Sequence, residues 1–226
     1  MTPERGRCLE ALARLILRVE RPHPVRVAVD GPDAAGKTIL ADDLAPVLER
    51  SGRPVIRASV DGFHRPRAER FRRGPESPQG YFLDSFDYAA LRAALLDPLG
   101  PGGDRVYRLR VFDFRTDEPV TEPAETAPAN AILVLDGVFL LRRELIDLWD
   151  FSVFVAVPFA ETQRRAAIRD AEFLGGDEAV RHRYAVRYVP GQQLYFGRDH
   201  PREKADVVLD NQDPDRPNFR LSESNS

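Results

Sequence analysis

At 226 residues, 42% of them hydrophobic, the chain is long enough to bury the core of one α/β domain and too short for two full domains. A formal net charge of −3 excludes a global attraction to nucleic acid or to an anionic membrane, so any basic function has to be local. The single cysteine, Cys8, excludes an internal disulfide and a cysteine-ligated metal cluster, and no run approaches about 18 uninterrupted apolar residues, so a soluble, cytoplasmic protein is expected.

Glu4 to Glu20 sets Leu9, Leu12, Leu15, Ile16 and Val19 on one stripe, which predicts an amphipathic helix. Pro22 and Pro24 end it, so residues 1–24 read as an N-terminal helix and linker ahead of a main domain over 25–210. Val25, Val27, Ala28 and Val29 then form an apolar strand leading into Gly31-Pro32-Asp33-Ala34-Ala35-Gly36-Lys37-Thr38, the pattern G-x-x-x-x-G-K-T. Two glycines let successive backbone N–H groups turn inward as an anion nest, and the helix predicted over Ile39 to Arg50 adds its positive N-terminal end. Gly31, Asp33, Ala34, Ala35, Gly36, Lys37 and Thr38 are therefore expected to hold ATP, with Lys37 at the β- and γ-phosphates and the Thr38 hydroxyl on a magnesium ion. Lys37 is one of only two lysines among 33 basic residues, so composition does not account for it. Pro46 predicts a kink or an early end to the helix near Ala45.

Val55 to Val60 reads as a second strand, ending in Asp61-Gly62-Phe63-His64. In an open parallel sheet ligands gather at the carboxyl ends of strands, and phosphoryl transfer to an alcohol needs a carboxylate that orients the hydroxyl and takes its proton. Asp61 is the candidate for that base; an Asp capping the next turn is the plainer alternative. Arg65, Arg67, Arg70, Arg72 and Arg73 follow as a basic loop that either grips a substrate phosphate or faces solvent. Gly80 to Asp87 packs three aromatics between acids, suited to stacking a planar ring or to anchoring a lid. Tyr88 to Leu96 predicts a helix, Arg105 to Phe114 a strand or half of a hairpin, and Thr116 to Asn130 a loop.

Ala131 to Leu135 is a buried-type strand running into Asp136-Gly137, the expected form of an acid beside the magnesium. Phe139 to Leu148 predicts a helix, Phe151 to Val157 a strand, and Phe159 to about Phe173 a helix. On the last, Arg165 and Arg169 are four apart and share a face, which either clamps the β- and γ-phosphates or is a solvated basic surface. A helix over Asp177 to Tyr188 completes a small lid of about 159–188, which Val189-Pro190-Gly191 is expected to break. His182 and His200 read as surface residues, Ala205 to Leu209 as the last strand, and 211–226 as a flexible tail.

With the phosphate loop, Asp61 and Asp136 in hand, the chain from about Val25 to Asn211 resembles the uridine kinase and phosphoribulokinase family of phosphate-loop kinases. The residues that carry the resemblance are Gly31 to Thr38, Asp61-Gly62-Phe63-His64, Asp84-Ser85-Phe86-Asp87, Phe112-Asp113-Phe114, Leu135-Asp136-Gly137, Arg165 to Asp170, and Lys204 to Val208. It implies an α/β P-loop NTPase fold with a five-stranded, mainly parallel sheet flanked by helices and a small lid. It also implies ATP with magnesium, Asp61 as base and Arg165 and Arg169 as lid arginines, and it puts Phe63, His64, Tyr81, Phe112, Phe114 and Asp117 beside Asp61 in the acceptor pocket. Relative to uridine kinases, Phe112 stands at a Tyr position, Asp117 near a His, Tyr81 near an acid, and Ala166 and Gly176 at two further lid arginines.

The expected function is an ATP- and magnesium-dependent kinase acting on the 5′-hydroxyl of a pyrimidine nucleoside. Nicotinamide riboside, pantothenate and a sugar phosphate are alternative acceptors, and a non-catalytic nucleotide-binding regulator is the reading from another class. The expected partner is a nucleoside-like small molecule, with neither nucleic acid nor membrane, and a homo-oligomer is left open.

Overall fold

The computed structural model describes residues 1–170 and 176–222. Val25–Asp30 (β1), Val55–Ser59 (β2), Ile132–Asp136 (β3), Phe151–Ala156 (β4), Val207–Asp210 (β5) and Asn218–Leu221 (β6) form one sheet in the order β6-β5-β4-β1-β3-β2. All pairs are parallel except β5 with β6. The central strands β1 and β3 are buried at every position, as strands covered on both faces must be, whereas β2 alternates because it lies at an edge.

Alternation then sorts the core into two layers. Val25, Val27 and Val29 meet Leu9, Leu12 and Ile16 of Pro3–Leu17 (α1) and Leu40, Leu44 and Leu48 of Lys37–Glu49 (α2). Ala28, Leu133 and Leu135 face the other way, against Phe63, Phe82, Phe139 and Tyr195. Pro46 lies inside α2, which continues to Glu49 instead of ending near Ala45.

Four expectations are corrected. The sheet has six strands, because residues 218–221, expected in a flexible tail, pair antiparallel with β5 while Phe219 packs on the core. Four residues are too few for a periodic signal, yet they satisfy backbone groups that β5 would otherwise leave open at the edge. Phe139 to Leu148 is not a helix but a series of turns with one 3-10 turn at Ile146–Leu148. Tertiary partners take its backbone: Leu141 N donates to Asp30 Oδ2 at 2.9 Å, Leu140 O accepts from Trp149 Nε1 at 2.8 Å, and Phe139 sits at φ 66°.

The expected break at Val189-Pro190-Gly191 does not occur. Asp177–Arg183 passes through a π-helical turn, Tyr184–Tyr188, directly into the helix Val189–Asp199. Pro190 falls in the first turn of that last segment, where a missing N–H is tolerated. Gly191 is needed there for close approach, since a Cβ would lie 2.7 Å from Tyr81 Cδ1. Finally, Arg105 to Phe114 is not one strand but takes its hairpin alternative, in two short pieces. Val106–Tyr107 and Phe112–Asp113 make short antiparallel pairs with Glu125–Thr126 and Glu118–Pro119, so the predicted loop over 116–130 folds back on it.

The helix Phe159–Arg169 (α3) begins as expected; its continuation toward Phe173 lies outside the described residues, as does part of the proposed lid. Among the described residues no helix is long and apolar enough to cross a membrane.

Candidate active site

The turn between β1 and α2 builds an anion cradle. Asp30, fully buried at the end of β1, accepts from Gly31 N at 2.6 Å, from Leu141 N and from the Tyr195 hydroxyl, which fixes where the loop leaves the sheet. Burial pushes this carboxyl up, against the pull of those donors. Gly31 has φ 150°, and a Cβ there would lie 2.4 Å from Val155 O of the neighbouring strand. Gly36, at φ 89°, is the left-handed residue before α2. Lys37 is buried and donates from Nζ to Pro32 O at 2.7 Å, bridging the loop. Burial lowers its pKa, opposed by the negative charges of Asp33, Asp30 and Asp136.

Thr38 and Asp136 meet as the motif spacing expects: Thr38 Oγ1 donates to Asp136 Oδ2 at 2.6 Å. A hydroxyl beside a carboxylate is a hard-oxygen donor set that fits magnesium, which commonly takes one or two carboxylates plus phosphate oxygens. In register terms Asp136 pairs with Val29 on one side and Ser59 on the other, so the strand ends carrying Gly31, Asp136 and Asp61 are adjacent.

Asp61 lies in the 3-10 turn Val60–Phe63, with its side chain 59% exposed at the open cleft. Its carboxyl is pushed up to about 6, first by the protein around it and then by the like charges of Asp136 and Asp33. Since the side chain still meets solvent, the shift describes proton affinity at the cleft and contributes little to stability.

From α3 both arginines reach the loop, but they do different things. Arg169 Nη2 contacts Asp33 Oδ1 at 3.4 Å, its Nε pairs with Asp170 at 2.6 Å, and the Tyr184 hydroxyl also donates to Asp33. Burial raises the Asp33 carboxyl, but Arg169 and Lys37 outweigh it and hold the group below the usual range. Arg165 is bound to Glu161 at 2.8 Å and to the carbonyls of Asn211 and Gln212 at 2.9 and 3.0 Å. It thus ties the helix to the loop after β5, and its Nη1 also reaches Ala35 O of the phosphate loop at 3.5 Å. Ala34, at φ 58°, and Ala35, whose carbonyl accepts from Asn211 Nδ2 at 2.8 Å, complete the loop.

The acceptor side departs further from expectation. Phe63 is fully buried in the core and supports the Asp61 turn from below, so it offers no face to an acceptor. His64 is packed between Phe86 and Phe114, at ring distances of 4.4 and 4.7 Å with the rings tilted, and burial depresses its pKa to about 4. Phe112 is buried at 7%. Asp117 accepts from Arg67 N at 2.7 Å and pairs with Arg70 at 3.2 Å, which occupies it with the chain's own donors. Tyr81 packs its ring on Phe139 and Tyr188 at 5.0 and 4.8 Å. In the basic loop Arg65 pairs with Glu69, Arg70 with Asp117, and both Arg72 and Arg73 with Asp84. His182 is exposed and pairs with Glu76 at 2.9 Å.

No protein-family profile matches the chain. Among solved structures, a possible uridine kinase from Bacillus stearothermophilus superposes with a TM-score of 0.71 at 22% identity, covering 90% of this chain and 97% of that one. A candidate fructose transport system kinase from Silicibacter sp. TM1040 superposes with a TM-score of 0.70 at 24% identity, covering 84% of this chain and 95% of that one. Those likenesses establish the fold. Uridine-cytidine kinase B of Dictyostelium discoideum is 26% identical over 189 residues, 83% of this chain and 74% of its own length. The chain is similar to the uridine kinase-like P-loop kinases.

Several groups that shape this site carried no signal in the sequence. Gln192 Oε1 accepts from Asp33 N at 2.7 Å, Asn211 holds the Ala35 carbonyl, and Arg57 on β2 reaches Asp136 at 2.9 Å. Each is a polar residue far along the chain from the motif it serves. A cavity of about 730 Å³ also opens behind Pro32, between Phe154, Phe196, Val208 and Phe219, but it contains neither Asp61 nor Lys37 and is distinct from the cleft.

The loop is open to a direct test. Gly31→Ala puts a methyl into a strand carbonyl that cannot move without breaking the sheet, at a φ that L residues rarely adopt. A loss of about 2–3 kcal/mol is expected from the overlap and strain. Thermal denaturation should show it as a fall of several degrees, about 5–10 °C for a chain of this size, with nucleotide affinity reduced at least about tenfold.

Proposed function

We propose that the protein transfers the γ-phosphoryl group of ATP to a hydroxyl of a small, nucleoside-like acceptor, with uridine and cytidine as the first substrates. Gly31 to Thr38 hold the triphosphate, Thr38 and Asp136 hold magnesium, and Asp61 orients the acceptor hydroxyl and takes its proton. When bound, the metal supplies charge neutralisation on the β- and γ-phosphate oxygens. Arg169 lies on the rim of the loop and is the lid arginine suited to neutralising the phosphoryl in flight, while Arg165 supports the loop after β5.

The observation that carries this reading is electrostatic and geometric together. Asp61 stands just past the strand next but one to the phosphate loop, where the protein around it, and then the charges of Asp136 and Asp33, raise its pKa to about 6, and it is close enough to feel Lys37 and Arg169. A carboxylate in that place, with that proton affinity, is matched to accepting a proton near neutrality. A regulator that only binds nucleotide would have no use for it.

A second reading keeps the chemistry and changes the acceptor. It is favoured by Asp117, whose carboxylate is taken up by Arg67 and Arg70, and by the phenylalanine at 112, because together they leave little polar recognition for a base edge. Nicotinamide riboside, pantothenate or an unphosphorylated sugar then become candidates. A sugar phosphate is less suited, since Arg65, Arg70, Arg72 and Arg73 are each paired within the protein.

Release of ADP from ATP, measured over a panel of uridine, cytidine, nicotinamide riboside, pantothenate, hexoses and hexose phosphates, separates these readings. At least one hydroxylic acceptor should raise the rate far above the acceptor-free background, with pyrimidine nucleosides first. If none does while ATP binds tightly, the kinase reading gives way to the regulator.

A further inference from the structure

Arg57 lies on the edge strand β2, yet its guanidinium is turned into the site and wholly engaged. Nη2 is 2.9 Å from Asp136 Oδ1 and 2.8 Å from Asp42 Oδ1, Nε is 3.0 Å from Asp42 Oδ1, and Nη1 donates to Val134 O at 2.7 Å and to Ala58 O at 2.9 Å. The other oxygen of Asp136 accepts the Thr38 hydroxyl at 2.6 Å. Thr38 and Asp42 are four apart on α2 and so share a face. The result is one continuous chain of contacts, Asp42 to Arg57 to Asp136 to Thr38, in which both oxygens of Asp136 are committed and a permanent positive charge touches one of them.

We propose that Arg57 is a positioning residue for Asp136. It fixes the plane of that carboxylate against Thr38 and cancels part of its charge, and so sets how tightly the nucleotide-loaded site holds its divalent cation; Asp42 moderates the effect from the other side of the guanidinium. The physical basis is direct. A divalent cation held by Thr38 and Asp136 shares its carboxylate with a fixed like charge, and removing that charge strengthens cation binding, whereas removing the Asp42 charge that offsets it weakens cation binding. A planar guanidinium is suited to the task because it can bridge two carboxylates and two carbonyls in one orientation. This inference rests on the proposed nucleotide and metal site and extends it.

The test measures cation binding and not turnover. Free manganese is followed by electron paramagnetic resonance during titration of the full-length protein with saturating ADP, and ADP binding in EDTA is measured separately by calorimetry. Arg57→Met keeps the stem and removes the charge, so manganese should bind tighter by on the order of tenfold, while ADP affinity in EDTA stays within about twofold. Arg57→Lys keeps the charge and should stay within about threefold of the unaltered protein, and Asp42→Asn should bind manganese several-fold more weakly, by roughly three- to tenfold. A purely structural arginine would lower the melting temperature of Arg57→Met without moving manganese affinity. Unchanged or weaker manganese binding in folded Arg57→Met overturns the proposal. Should that variant not fold, unchanged manganese binding in Asp42→Asn overturns it equally. If the unaltered protein binds ADP with no linked manganese uptake, the proposed nucleotide and metal site fails and this proposal with it; normal uptake with insensitive variants sinks the proposal alone.

Discussion

Asp61→Asn is expected to slow acceptor phosphorylation by on the order of 10²- to 10⁴-fold while ATP affinity stays within about threefold. The amide matches the carboxylate in size and still hydrogen-bonds, but it cannot take the proton from the attacking hydroxyl. The side chain is exposed to the cleft and is not part of the core, so the variant should melt close to the unaltered protein. The pH dependence sharpens this expectation. Because the carboxyl is pushed up to about 6 by its surroundings and by Asp136 and Asp33, its base form is lost as pH falls through that value. kcat/KM should therefore fall about tenfold per unit below pH 6 and level off above it, and Asp61→Asn should lack that limb. Calorimetric titration with ATP and a steady-state pH profile on the best acceptor provide the measurements. A variant that retains full turnover would remove Asp61 from the chemistry.

Lys37→Met is expected to have an effect of similar size but on a different parameter. Lys37 is buried, bonds Pro32 O at 2.7 Å, and is the cation beside the carboxylates of Asp30, Asp33 and Asp136. Methionine fills nearly the same volume while removing the charge proposed to face the β- and γ-phosphates and leaving those carboxylates with less compensation. Stripping one partner from a buried charge cluster costs about 3–5 kcal/mol of stability, and loss of a charge contact of that size to the phosphates is roughly 10²- to 10⁴-fold in binding, so ATP affinity should collapse together with turnover. Arg in its place should not rescue either, since the broad fork cannot occupy the pocket of a compact ammonium. Calorimetry separates the two variants: Asp61→Asn binds ATP and fails to transfer, whereas Lys37→Met fails to bind.

The contrast also explains what the sequence could reveal. The phosphate loop is legible because its chemistry is local: the backbone of Gly31 to Thr38 makes the nest, so motif and structure are nearly the same statement. β1 and β3 were similarly plain, because strands buried on both faces are apolar at successive positions, and the acid that ends such a run, Asp136, meets Thr38 as the motif spacing expects. The acceptor side is built from long-range pairings that leave no periodic trace. Phe63 is a core residue in a segment that reads like a site motif, and Asp117 is spoken for by arginines about 50 positions earlier.

Arginine is so common in this chain that its informative members could not be told from the rest. Arg187 is 3% exposed and donates to the carbonyls of Gly74, Pro75, Ser77 and Arg70, which makes it the hub on which the basic loop folds. Arg57 and Arg165 are equally anonymous in sequence and equally specific in contact. Pro190 misled for a different reason. Proline predicts an end wherever it follows helical residues, but a π-helical turn at Tyr184–Tyr188 lets it begin a new segment without interrupting the run.

The most direct test is a crystal structure with a non-hydrolysable ATP analogue, magnesium and the best acceptor from the panel. The triphosphate should rest on the backbone N–H groups before α2, with the acceptor hydroxyl at about 2.6–3.2 Å from an Asp61 carboxylate oxygen and in line with the terminal phosphorus. An acceptor bound elsewhere, with Asp61 directed to bulk solvent in the closed complex, would contradict the account.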